Sequence, residues 1–61
     1  MNSRQVIKIL QAHGWKIVRT KGSHHLLSNG AKTVPVPVHA GRDIGIGLLR
    51  KIEHQTGVKL S

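Results

Sequence analysis

At Gly14 the spacing of apolar residues changes, and that change limits the folds open to the chain. Before it, Val6, Ile7, Ile9 and Leu10 recur at helical intervals, with Arg4, Lys8 and Gln11 elsewhere. Such a stripe predicts a short amphipathic helix over residues 3 to 13. Ser3 is a candidate cap, and Gly14 a left-handed stop. After Gly14 the period is two. Trp15 and Ile17 share one face, and Lys16, Val18 and Thr20 share the other. Aromatic and β-branched residues in alternation predict a strand.

Gly22-Ser23 breaks this strand, and a second is expected from about His24 to Ser28. Asn29-Gly30 is a hairpin signal, because both residues tolerate positive φ. A third strand is expected from about Lys32 to Val38, with Val34, Val36 and Val38 on one face. Pro35 and Pro37 have no N–H to give to a ladder, so this strand belongs at a sheet edge. Its free edge either accepts a partner's strand or is blocked by the prolines. His39 to Gly47 reads as a loop. A second helix fits residues 46 to 56, with Ile46, Leu49 and Ile52 or Glu53 three apart and Gly57 closing it. Val58 to Ser61 is a short tail.

The predicted order is α-β-β-β-α in one domain, residues 1–61. This is an α+β fold in which a three-stranded antiparallel sheet packs on two helices. The sheet needs that cover, because three strands alone are barely stable. A chain of 61 residues has a thin core, since a domain of this size buries only roughly 60% of its unfolded surface. Trp15, the one aromatic residue, is expected in that core.

Charge narrows the choice of partner. Ten Lys and Arg face two acids, Asp43 and Glu53, for a net charge of +8. Such a field attracts polyanions, nucleic acid first and acidic proteins second. A membrane surface fits less well, because the cations are scattered along the chain rather than gathered on one amphipathic helix. There is no cysteine, which rules out disulfides and thiolate metal sites. No signal peptide or membrane span is visible, so a cytoplasmic address is expected.

The residue inventory also narrows the chemistry. Two acids are too few for a two-metal nuclease or a carboxylate pair that divides the work. The five histidines, His13, His24, His25, His39 and His54, show no helical i, i+4 spacing for zinc. No metal and no cofactor is expected. Histidine acid–base chemistry remains, and RNA suits it. The 2′-OH is an internal nucleophile, so cleavage needs a base, a cation to steady the phosphorane and an acid for the leaving oxygen. An ordinary histidine titrates near ~6.5, in the right range. In a strand, His24 and His25 point to opposite faces and so do not form one acid–base pair. Alternation does not say which is exposed, since Leu26 and Leu27 also cover both faces. Gly22 and Ser23 are either a tight turn or a backbone approach to phosphate. Lys16, Arg19, Lys21 and Lys32, on or beside the hairpins, are candidate phosphate contacts. With a single ring for stacking, RNA contact is expected to be mainly electrostatic.

The opening Met-Asn-Ser-Arg-Gln-Val-Ile-Lys-Ile-Leu, then His-Gly-Trp, Lys-Gly-Ser-His-His, Val-Pro-Val, Ile-Gly-x-Leu-Arg-Lys-Ile and a closing Thr-Gly together resemble the HicA toxin family. The resemblance runs from Ser3 to about Val58. It implies a fold similar to the double-stranded-RNA-binding domain. It also implies an mRNA interferase, the toxin of a type II toxin–antitoxin pair that a HicB antitoxin neutralises. By that resemblance the catalytic histidine after the Gly-Ser bend is His24, with Gly22 in the same motif. His25 is then a structural or substrate-contacting neighbour. A non-catalytic basic RNA-binding module is the competing expectation.

Overall fold

The computed structural model describes residues 1–39 and 41–60. Its elements follow the predicted order: α1 (Ser3–Ala12), β1 (Lys16–Lys21), β2 (His24–Ser28), β3 (Thr33–Pro37) and α2 (Ile46–Thr56). The strands form one antiparallel sheet in the order β1-β2-β3. Ala40, in the expected loop, and Ser61, in the expected tail, lie outside the described residues.

Both helices lie on one side of the sheet, against β3. Val6 and Leu10 of α1 and Leu49 and Ile52 of α2 meet Leu27, Val34 and Val36 in the core. Trp15, only 2% exposed, is buried there too. The tail contributes more than its length suggests. Val58 and Leu60 are buried, and the Leu60 N–H donates to Glu53 Oε2 at 2.7 Å. Gly57 takes φ 71° to turn the chain out of α2, a conformation glycine adopts without strain. Among the described residues, no helix is long and apolar enough to cross a membrane.

Four local readings differ from the structure. Asn2, not Ser3, caps α1: its side chain accepts from the Gln5 N–H while Gln5 reaches back to the Asn2 N–H. Ser3 is instead buried in the first turn, and its hydroxyl donates to the Pro37 carbonyl at 2.7 Å. It pins the helix to the end of β3. Ile46 is 60% exposed, because it opens α2 beyond the edge of the core. The hairpin expected at Asn29-Gly30 forms, through a four-residue loop, 29–32, but Asn29 does not use positive φ. Asn29 Oδ1 accepts the N–H groups of Ala31 and Lys32, and only Gly30 has positive φ. The reciprocal cap predicts that Asn2→Ala lowers stability by about 1 kcal/mol, read from the denaturant midpoint.

The fourth difference lies in β1. Ile17 pairs with Leu27 and Arg19 with Leu26, so Val18 is an extra residue, a β-bulge. Uninterrupted alternation puts Thr20 with Lys16. The bulge resets the phase: Thr20 pairs with His25, and Lys21 with His24.

Candidate active site

The hairpin joining β1 to β2 builds the site. Gly22 takes φ 58° while Ser23 has negative φ, the pattern of a two-residue turn with glycine first. The Ser23 carbonyl accepts the Val38 N–H at 2.6 Å. The turn is thus held from the end of β3 and does not depend on β1 and β2 alone. A Cβ at Gly22 meets nothing within 4 Å, so the glycine is required by its dihedral and not by crowding. Gly22→Ala is expected to cost about 1–2 kcal/mol from the left-handed backbone. Thermal unfolding measures this.

Strand alternation separates the two histidines. His25 shares the helix-packed face with Leu27; it is half-buried, paired with Thr20 and Val36. Its Nδ1 is buried with no hydrogen-bond partner among the described residues. His24 is exposed on the opposite face. Its cross-strand neighbours are Lys21 on β1 and Pro37 on β3. Directly opposed residues of an antiparallel pair bring their Cβ atoms to roughly 4.5–5.5 Å, so a cation and an imidazole flank one point on the surface. Leu26 and Pro35, paired with each other, lie next along this face. Lys21, Gly22, Ser23, His24, Leu26 and Pro35 together line an open depression of about 520 Å³.

The bulge at Val18 completes the arrangement. Lys16, Arg19 and Lys21 pair with Ser28, Leu26 and His24, three alternate positions of β2. All three cations therefore lie on the His24 face. In an unbulged strand, Arg19 and Lys21 fall on the opposite face from Lys16. The sequence gives no signal for this bulge, since valine is an ordinary strand residue.

The structure does not gather every candidate around His24. Lys16 stands opposite Ser28, at the far end of β2, about four residues or ~13 Å along the strand. Lys32 is in the loop beyond that end, beside a separate depression that includes His54. His39 lines a larger cavity, about 600 Å³, with Asn2, Ser3, Arg4 and Asp43; none of the residues around His24 borders it. The His24 depression is singled out by chemistry and register and not by size. Among the described residues, no group of three or more His, Cys, Asp and Glu is placed to hold a metal ion.

The structure is thus a basic α-β-β-β-α fold with His24 and a row of cations on the open face of its sheet. The chain belongs to the family described as HicA toxin of bacterial toxin-antitoxin, which it matches over residues 3–58. It is thus a member of a toxin family within toxin–antitoxin systems. No curated protein matches it.

Proposed function

We propose that this toxin is a metal-independent endoribonuclease, an mRNA interferase acting in the cytoplasm, with His24 as its catalytic residue. The observation that carries the reading is the direct pairing of Lys21 with His24 on the exposed face. Neutral His24 takes the proton from a 2′-OH. The freed oxygen attacks the adjacent phosphorus, and the bond from phosphorus to O5′ breaks. O5′ receives a proton from the imidazolium or from water. The products are a 2′,3′-cyclic phosphate and a 5′-hydroxyl. Lys21 offsets the charge that builds on the phosphorane, and the backbone at Gly22 and Ser23 approaches the phosphate.

Arg19 and Lys16 continue the phosphate track along β1. Lys32 adds a cation beyond the far end, and His25 supports the strand from the helix side. Growth arrest follows from loss of mRNA. A HicB antitoxin that covers this face neutralises the toxin.

Purified chain incubated with RNA in excess chelator should produce fragments ending in cyclic phosphate. Folded chain that binds RNA, with affinity falling steeply as salt rises, yet leaves it intact would show a binding module instead.

A further inference from the structure

β1 is the open edge of the sheet. It pairs with β2 on one side only, and all six of its residues are exposed. The opposite edge, β3, carries Pro35 and Pro37, which have no N–H to offer, and it lies against both helices. On either side of the bulge at Val18, alternate residues of β1 turn their N–H and C=O away from β2. Ile17, 40% exposed, and Val18, 60% exposed, add apolar surface to the same strand.

We infer that the β1 edge is a docking surface for an extended, acidic segment of a partner protein, which adds to the sheet as a fourth strand. The register supplies the recognition pattern. Lys16, Arg19 and Lys21 point to one face, and Ile17 and Thr20 to the other. An incoming strand that alternates acidic residues with apolar or β-branched ones satisfies both faces. A second copy of the chain does not, because it would set its own three cations against these three, and like charges directly opposed destabilise a pair. RNA reaches the same cations from the open face, but it does not complete a strand ladder. The docked strand would occupy the cations nearest His24, so it and RNA would exclude each other. The inference holds whether or not His24 cuts RNA, and the His24→Ala chain is the suitable material for its test.

The probe is a capped heptapeptide that alternates glutamate with valine and threonine. The readout is amide hydrogen exchange across the full chain, resolved by NMR. At saturating peptide, the outward amides of β1 should exchange about tenfold more slowly, with no such change in β3. A peptide of the same composition with its glutamates grouped should not produce this. The triple variant Lys16→Glu, Arg19→Glu, Lys21→Glu should lose the glutamate peptide and accept a lysine counterpart. Three results would overturn the inference: no slowing at β1, equal slowing by the grouped peptide, or the same edge protection by oligouridylate. Self-association through β1 without peptide would also contradict it. If the triple variant does not fold, the comparison of the two peptides on the unaltered edge still decides the matter.

Discussion

His24→Ala is expected to reduce RNA cleavage by about 10²–10⁴-fold, the usual contribution of a positioned acid–base group. The side chain is exposed on the outer sheet face, and its removal opens no cavity. Stability should therefore stay within about 0.5 kcal/mol of the parent. RNA affinity should persist, because the cations of β1 remain. The measurement is a cleavage rate beside a thermal unfolding curve for both proteins. Loss of folding together with activity would assign His24 a structural role that its exposure does not support.

The next residue but two behaves in the opposite way. Leu27→Ala should cost about 2–5 kcal/mol, the range for a fully buried leucine. Leu27 is 0% exposed and pairs with Ile17 and Val34 at the middle of the sheet. A domain of this length has only about 3–9 kcal/mol of stability at the usual value per residue. The substitution should thus lower the unfolding temperature sharply or leave the chain unfolded, and activity should vanish although nothing at the site has changed. Leu26→Ala, on the outer face beside His24, is the control, and it should leave folding largely intact. Denaturant titration of both variants checks the contrast. Similar losses for the two leucines would mean that the sheet is covered on both faces.

The sequence revealed most of the architecture because its signals are local and consistent. The helical stripe of Val6 and Leu10 and the glycines at 14 and 57 mark element ends, and the valines of β3 mark its buried face. Fine detail was lost where one residue had two physically reasonable uses. Ser3 is a good cap by composition, but Asn2 precedes it and finds Gln5 three residues on. The freed Ser3 hydroxyl then holds Pro37, a contact across 34 positions that no local reading contains. Asn29 suits positive φ, yet its side chain is better used in accepting two backbone N–H groups.

The site was legible in part. Alternation required His24 and His25 to face apart, and the resemblance to the family pointed to His24. Which of them is exposed depended on the packing of Leu27 against the helices. The cation row was not legible at all. Read with strict alternation, Lys16 and Lys21 fall on opposite faces, and only the extra residue at Val18 brings them together. A bulge of this kind is set by the pairing of two strands, and its cause is not contained in either strand alone.

The central claim is that one exposed histidine turns a basic RNA-binding surface into a toxin. Its most direct test is induction of this chain in bacteria, wild type beside His24→Ala, with growth and mRNA integrity followed together. The account predicts that wild type arrests growth and its mRNA is cut, and that the extract still cuts RNA in the presence of chelator. The His24→Ala protein, equally soluble, should do neither. If both proteins arrest growth and degrade mRNA alike, His24 is not the catalyst and the claim is wrong.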